Sequence, residues 1–288
     1  MGSLRDIKGR IVSVKKTKKI TQAMKMVAAA KFKRAQNNLD HSKKYGDALQ
    51  GILDDMSTRM EPDNLPTVFT GNPSGKEVII LVTADRGLCG GFNTNIIKAA
   101  QNYIADHTGN PLELFIIGNK AAQFFKNKDI TIHEQHTHLG DHLTAEHVSD
   151  LITPVTEKVK SGEIGKVTLF YNRFISAIAN EQESQQVYPL ALKDWTPNKR
   201  LENADYIYES GKEATLNAFA AEYVSYQIYQ ALLNSQASEE GSRMAAMDSA
   251  TNNATDVIYD LSLEYNRSRQ AAITTEISEI VAGATSLG

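Results

Sequence analysis

The distribution of proline is the feature that most constrains how this chain folds. All seven prolines lie between Pro62 and Pro197, so the first 61 and the last 91 of the 288 residues contain none. A proline inside a helix costs roughly 3 kcal/mol relative to alanine. The two terminal segments are therefore free to form very long helices, whereas the middle of the chain is not.

Apolar residues in both terminal segments recur with the spacing of a coiled-coil helix. The first segment carries Leu4, Ile7, Ile11 and Val14, and the stripe then shifts, as in a heptad pattern with a stutter. We predict one helix that ends near residue 57 and another from about residue 211 to 287. The last segment repeats the three-four rhythm at Met244, Met247, Thr251, Ala254, Ile258, Leu261 and Tyr265.

The two helices are expected to pair antiparallel, because both leave the same central segment. If residue 57 faces residue 211, then Met24 faces position 244 and the first helix ends level with residues 265–269. About 20 residues of the last helix, or ~30 Å at 1.5 Å per residue, then lie beyond their partner. This tip tapers to small residues. A lone helix of that length is marginal in water, so the pattern predicts a surrounding sleeve.

The terminal segments carry opposite charge. Residues 1–44 contain thirteen Lys and Arg against two Asp, whereas residues 205–288 contain twelve Asp and Glu against four Lys and Arg. Either each end meets an outside partner or the two ends meet each other. A nucleic-acid interface is disfavoured, because Phe32 is the one aromatic residue among the first 44 and an acidic helix lies in the same chain.

The central segment is typical of a small, Rossmann-like α/β domain with a mainly parallel sheet. Strand patterns occur at 78–82, 112–117 and 167–171, and helical patterns follow Phe92 and occur at 119–125 and 144–159. Residues 184–192 suggest an edge strand, and residues 61–75 a linker. The predicted fold class is therefore α/β, with a long antiparallel coiled coil. The segments are a coiled-coil helix (1–60), the α/β domain (61–205) and a second coiled-coil helix (206–288).

Membrane and redox signals are weak. No stretch approaches the ~18–20 apolar residues of a membrane span, and the first ten residues lack the pattern of a secretory signal. Cys89 is the one cysteine, so an internal disulfide is excluded and a reducing compartment is favoured.

The stretch TADRGLCGGFNTN, residues 83–95, is the most inviting candidate for chemistry. It follows a strand, precedes a helix, and offers three glycines and a thiol. Its glycine spacing matches neither the dinucleotide fingerprint nor a P-loop. No histidine lies nearby in sequence to activate Cys89. A structural turn is favoured over ligand binding or catalysis, and both stay open.

Five histidines between residues 133 and 147 suggest a metal site at first sight. They lack the HExxH spacing and cysteine partners, so a solvated polar loop is the favoured interpretation. We predict no catalytic residue, no cofactor site and no metal site in this chain. The histidines are His133, His136, His138, His142 and His147.

Three stretches carry a family resemblance. They are residues 3–36, the DRGLCGGFNTNI loop, and the closing stretch from RMAAMDSATNN to ITTEISEIVAGA. With the α/β pattern between them, they resemble the gamma subunit of the F-type ATP synthase, bacterial type, over essentially the whole chain. The resemblance implies a non-catalytic central rotor shaft. Ion flow through the membrane c ring turns such a shaft, and the shaft drives ATP synthesis or hydrolysis in the catalytic beta subunits.

The resemblance also implies partners and contact residues. The partners are the alpha and beta subunits of the catalytic head, the epsilon subunit and the c-subunit ring, at the cytoplasmic face of a bacterial cell membrane. Met24 and Lys25 are implied to lie level with an acidic loop of beta. Because Cys89 stands alone, the two-cysteine redox switch of plant chloroplast members is not expected. The positions implied to support coupling of rotation to catalysis are Arg243, Gln270, Thr274 and Glu276.

Two other functions compete with the rotor shaft. A small enzyme that uses the Cys89 loop would turn over nucleotide as an isolated chain. A free-standing coiled-coil adaptor would occur mostly alone in cells. The shaft instead predicts co-purification with much larger ATP-binding partners.

Overall fold

The computed structural model describes residues 4–58, 67–107, 111–139, 143–190 and 211–286. The contacts between residues group the chain into two compact units, residues 1–29 with 243–288, and residues 30–242. The elements in chain order are α1 (Leu4–Thr58), α2 (Thr67–Thr70), β1 (Lys76–Val82), α3 (Phe92–Asp106), β2 (Leu112–Ile117), α4 (Asn119–Phe125), β3 (Thr131–His136), α5 (Ala145–Lys160), β4 (Ile164–Ser176), β5 (Ala179–Tyr188) and α6 (Lys212–Ser286).

The predicted fold class is confirmed, with corrections at individual elements. Helices α1 and α6 end within a residue or two of the predicted bounds, and α5 begins after Thr144, whose side chain caps the helix by accepting from the His147 amide. Part of the predicted linker forms α2, and part of the predicted histidine loop forms β3. The predicted edge strand begins earlier, at Ala179. The division at residues 60 and 205 stays a prediction, because both positions lie outside the described ranges.

The sheet has the order β3-β2-β1-β4-β5 and is parallel except for β5. Strand β1 lies in its centre, where Ile80 faces Phe115 of β2 on one side and Leu169 of β4 on the other. Its last six residues are all buried. This burial explains the continuous apolar run, since a strand covered on both faces has no position for alternating polar residues.

Each face of the sheet has its own apolar core. One core packs Val78, Ile80 and Leu169 against α5 and against Ile228 and Leu232 of α6. The opposite core lies between Ile79 and Leu81 of β1 and helices α3 and α4. Helix α6 is therefore part of the α/β core as well as a partner of α1.

In the unit of residues 30–242, α1 and α6 pack side by side through small and aliphatic residues. Ala35 and Leu39 of α1 contact Leu233 and Ala237 of α6, and all four are buried. Further along, Leu53 and Met56 pack against Leu216 and Ala220. Residue numbers rise on one helix as they fall on the other, so the pair is antiparallel, as predicted.

In the unit of residues 1–29 with 243–288, the same antiparallel arrangement holds. Thr21 faces Thr251, and Lys25 faces Asp248. The predicted register, which set Met24 opposite position 244, is wrong by about one helical turn. Small and polar seam residues carry too little shape information to set the level of one helix against the other.

The C-terminal end of α6 extends beyond α1, as the sequence predicts. Continuing the observed register sets Leu4, the first described residue of α1, level with residue 268 or 269. Beyond that level the large apolar side chains of α6 are 46–71% exposed in this chain. Among the described helices, none is both long and apolar enough to cross a membrane. The exposed residues are Ile273, Ile277, Ile280 and Val281.

The charge asymmetry is only partly balanced inside the chain. Lys25 of α1 bonds Asp248 of α6. Other basic side chains near the start of α1 are exposed, so much of the positive charge of this helix faces outward. The exposed residues are Arg5, Lys8, Arg10, Lys15, Lys16 and Lys19.

Gly46 lets a tyrosine of α6 lie directly on α1. A Cβ atom at Gly46 would come 2.1 Å from the Tyr226 ring, whose hydroxyl donates to the Ser42 carbonyl at 2.9 Å. We expect Gly46→Ala to destabilise the chain by about 1–3 kcal/mol, because overpacking outweighs the gain in helix propensity. Gly51→Ala is the matched control, since no atom lies within 4 Å of its Cβ position, and it should stabilise by ~0.5–1 kcal/mol. Urea unfolding measures both; stabilisation by both variants would contradict the packing.

A buried carboxylate ties β1 to β4 and α3. Glu77 is 5% exposed and accepts from Thr168 at 2.6 Å, from Tyr103 at 2.7 Å and from the Lys166 ammonium at 3.1 Å. Burial opposes its charge, but the hydrogen bonds and the nearby ammonium outweigh burial, so the pKa of Glu77 lies below its usual range. A carboxylate with a lowered pKa stabilises the fold above its unfolded pKa of about 4.3 and loses that contribution as the pH falls.

Glu77→Gln should therefore destabilise the chain at neutral pH and much less in acid. The difference in unfolding free energy between the two chains should be full above pH ~4.3 and shrink as the pH falls below it. Urea titrations between neutral pH and acid measure this difference. The exposed Glu157→Gln is the control and should give a much smaller difference at neutral pH than Glu77→Gln. A pH-independent offset for Glu77→Gln would contradict the account.

Candidate functional site

A polar layer interrupts the apolar seam of α1 and α6 at the level of the predicted contact residues. The hydroxyls of Thr21 and Thr251 lie 2.8 Å apart, and the Lys25 ammonium lies 2.6 Å from a carboxylate oxygen of Asp248. Thr21 is buried, whereas the side chains of Lys25 and Asp248 are about half exposed. This layer fixes which residues face each other, since a partner shifted by one turn would lose both contacts.

Met24 lies partly buried beside this layer, next to Lys25. The outer face of the same part of α1 is apolar and uncovered in this chain: Ile20 is 60%, Met26 63% and Val27 58% exposed. A half-buried methionine beside an exposed apolar strip offers a smooth, polarizable surface. The structure therefore brings Met24 and Lys25 together at an outward-facing position.

Arg243 lies on α6, at the start of the second stretch of the same unit, and is 9% exposed. In the observed register, position 244 falls opposite residue 28 or 29 rather than Met24. Arg243 is therefore about one and a half turns away from the level of Met24. Met24 and Arg243 therefore do not face each other, contrary to the predicted register.

The other three predicted positions lie on α6, past the level at which Leu4 of α1 faces it. Gln270, Thr274 and Glu276 are all exposed. The Thr274 hydroxyl donates to the Gln270 carbonyl at 2.9 Å, within its own helix. These residues form a separate group from Met24 and Lys25, on the stretch of helix that α1 does not cover.

The polar groups of the 83–95 loop hold neighbouring elements in place. The Asp85 carboxylate accepts from the Asn119 amide, which opens α4, and from the His138 amide, both at 2.9 Å. Asn93 accepts from the Ala84 amide at 2.8 Å and donates to the Cys89 sulfur at 3.2 Å. The arrangement favours a structural turn, because carboxylate and amide groups are occupied by the fold itself.

Two of the five histidines pair with separate carboxylates. His133 Nδ1 lies 3.1 Å from Glu113, and His136 Nε2 lies 2.8 Å from Glu134 while its ring stacks on Phe115. Among the residues that the structure describes, no group of three or more His, Cys, Asp or Glu is arranged to hold a metal ion. The interpretation of the whole stretch as a loop is wrong at β3, and His142 lies outside the described residues.

Comparison with known proteins decides the family. The family model for ATP synthase matches residues 3–287. The ATP synthase gamma chain of Geobacter metallireducens is 40% identical over all of this chain and 99% of its own length, and that of Pelagibacter ubique is 40% identical over the whole of both. This chain belongs to the ATP synthase gamma chain family. Gamma chains are non-catalytic subunits of the F-type ATP synthase and lie in its central stalk, while catalysis takes place in the beta subunits.

Solved structures agree with the gamma-chain fold. The central stalk and c-ring structure of the Tetrahymena thermophila mitochondrial ATP synthase contains a chain 25% identical to this one, with a TM-score of 0.63, that covers 80% of this chain and 99% of its own length. A chain of the Euglena gracilis mitochondrial enzyme is 19% identical, with a TM-score of 0.68 over 99% of this chain and 94% of its own. The second likeness extends the shared fold to nearly every residue.

Of the polar layer formed by Thr21, Thr251, Lys25 and Asp248, the sequence predicted only Lys25 as a contact residue, and the partner of Lys25, Asp248, was missed. Asp248 lies one position after the seam residue Met247 and meets Lys25 of α1. The signal available in the sequence was the opposite charge of the two helices. Without the correct register of the two helices, the opposite charges do not identify which basic residue pairs with which acidic residue.

The threonine contact should contribute measurably to stability. We expect a double-mutant cycle of Thr21→Val and Thr251→Val to give a coupling of about 0.5–1.5 kcal/mol, because each single change removes the bond between the helices while the remaining hydroxyl keeps only its bond to a carbonyl of its own helix. The same cycle for Lys25 and Asp248 should give ~0–1 kcal/mol, since that pair is half exposed. Thermal unfolding followed by circular dichroism measures both. Thr275→Val, at an exposed hydroxyl that bonds its own helix, is the control; additive threonine changes would show that the contact is not formed.

Proposed function

We propose that this chain is the rotating shaft that couples ion flow through a membrane c ring to ATP synthesis or hydrolysis in the beta subunits. In this proposal α1 and α6 stand in the cavity of the alpha and beta subunits. The α/β part contacts the epsilon subunit and the c ring, at the cytoplasmic face of a bacterial membrane. Membership of the gamma chain family over the whole length supports this role.

The observation that carries the proposal is that α6 continues past the level of Leu4, the first described residue of α1. Beyond the level of Leu4, four large aliphatic side chains of α6 are about half exposed or more. Covering the exposed part of one such side chain contributes ~1 kcal/mol before other costs, and an isolated helix of this length is marginal in water. A sleeve formed by other subunits supplies both the cover and the support.

The surface of this stretch suits turning rather than gripping. A specific hydrogen bond to a surrounding subunit, at about 1 kcal/mol net, would favour one angle over the others and slow each step, because RT is only ~0.6 kcal/mol. The Thr274 hydroxyl bonds its own helix, and the apolar residues around it have no directional preference. The sleeve can therefore hold the helix without fixing its angle.

We propose that the contact with the beta subunits lies at Met24 and Lys25, with Arg243, Gln270, Thr274 and Glu276 supporting the coupling of rotation to catalysis. Lys25 is held by Asp248 on its own shaft, so its charge is partly balanced before it meets a partner. The exposed basic residues of α1 add positive charge on the same helix. An acidic loop on beta would follow this surface as the shaft turns.

Met24→Lys tests this contact. A second ammonium beside Lys25 is not balanced by Asp248, so it would bind an acidic loop of beta too strongly. ATP-driven proton or sodium pumping should fall several-fold more than ATP hydrolysis. The reason is that an added charge pair of ~1–2 kcal/mol stabilises some rotation angles of the shaft relative to others. Pumping in vesicles and hydrolysis in the same preparation give the ratio. Met24→Leu, which keeps the volume and adds no charge, is the control; equal loss of both activities in Met24→Lys would argue against the contact.

A further inference from the structure

A row of polar contacts joins the β4–β5 hairpin to one face of α6. The Asn234 side chain accepts from the Phe174 amide at 3.2 Å, and Ser238 donates to the Asn172 carbonyl at 3.2 Å. One turn on, Asn180 donates to Ser242 at 2.9 Å. All of these residues belong to the unit of residues 30–242.

The three α6 residues of this row lie four apart, so they form a single stripe on the helix. Gly241 lies on the same side, where an added Cβ would come 2.9 Å from the Ala177 carbonyl oxygen. The backbone of the hairpin therefore approaches α6 closely. We call Asn234, Ser238 and Ser242, with their three hairpin partners, the hairpin seam.

The hairpin seam is buried at its centre and partly exposed elsewhere, and it is connected to the rest of the sheet. Asn172 is 0% and Ser238 2% exposed. The Asn172 side chain donates to the Phe92 carbonyl at the start of α3 and accepts from Gln182 of β5. Next to the row, the Phe174 ring lies 5.6 Å from the Phe32 ring of α1. The hairpin thus contacts both long helices. With α1 it makes this aromatic contact, and with α6 it makes the three hydrogen bonds of the hairpin seam.

We propose that the hairpin seam is the joint through which the α/β part of the chain turns α6. The proposal rests on the rotary function above. The apolar core between the sheet and α6 provides most of the burial, but apolar contact is non-directional and resists sliding or twisting weakly. Hydrogen bonds fix both distance and direction. Buried donors and acceptors that lose their partners are costly, so the seam resists rotation of the hairpin about the helix axis.

The test measures how stiffly the α/β part is held on the shaft in the assembled complex. A probe is attached to Lys98→Cys, an exposed position on α3, while Cys89 is 1% exposed and reacts poorly. Angular fluctuation of the probe is recorded with rotation stopped by bound nucleotide. Asn234→Ala combined with Ser238→Ala should broaden the angular variance about twofold, since variance rises as stiffness falls. Ser225→Ala, whose hydroxyl bonds its own helix, should leave it unchanged.

A covalent version of the seam gives the reverse change within one molecule. In Asn180→Cys with Ser242→Cys, reduction should broaden the distribution and disulfide formation should narrow it again. This arm also decides the question if the alanine variant does not assemble. Two results would overturn the hairpin seam as the joint. One is an assembled alanine variant whose angular distribution is as narrow as that of the chain with the intact seam. The other is a double-cysteine variant whose angular distribution does not change on oxidation. If the probe on the chain with the intact hairpin seam does not rotate when ATP is added, the rotary function itself is contradicted.

Discussion

Burial of one helix between two partners is the interaction on which this structure depends. Ile228 and Leu232 of α6 complete the core on one face of the sheet, while Leu233 and Ala237 pack against α1. Each large apolar side chain buried in these contacts contributes about 1.5–3 kcal/mol before other costs. One side of α6 therefore contacts the sheet and another side contacts α1. A substitution that shifts this part of α6 affects both the sheet and the helix pair.

The elements that the sequence predicts well are those that one strong local signal specifies. The absence of proline and the three-four spacing of apolar residues identify α1 and α6 almost to the residue, since both properties act within a few turns. The run at 78–82 identifies the central strand, because a strand buried on both faces must be apolar throughout. Thr144 marks the start of α5 through a cap that it forms with a residue three positions later.

The elements that the sequence predicts poorly depend on partners far away in the chain. Strand β3 is an edge strand with His133, Glu134 and His136, and its polar pattern resembles a loop until β2 is placed beside it. The register of α1 and α6 depends on single pairs, such as Gly46 with Tyr226 and Thr21 with Thr251. A seam rich in alanine and serine allows several registers of similar burial, so only these few specific contacts select one.

The candidate contact residues show a related division between the inside and the outside of the molecule. Polar groups that meet inside the chain, such as Asp248 with Lys25 and Ser238 with Asn172, have defined directions and distances. At the end of α6 the aliphatic residues Ile273, Ile277 and Ile280 face outward beside the exposed Gln270 and Glu276, and Thr274 bonds its own helix. A part that turns needs rigid bonds within itself and contacts of nearly equal energy with its surroundings. Because hydrogen bonds are directional and apolar contacts are not, placing the first kind inside and the second outside satisfies both requirements in one chain.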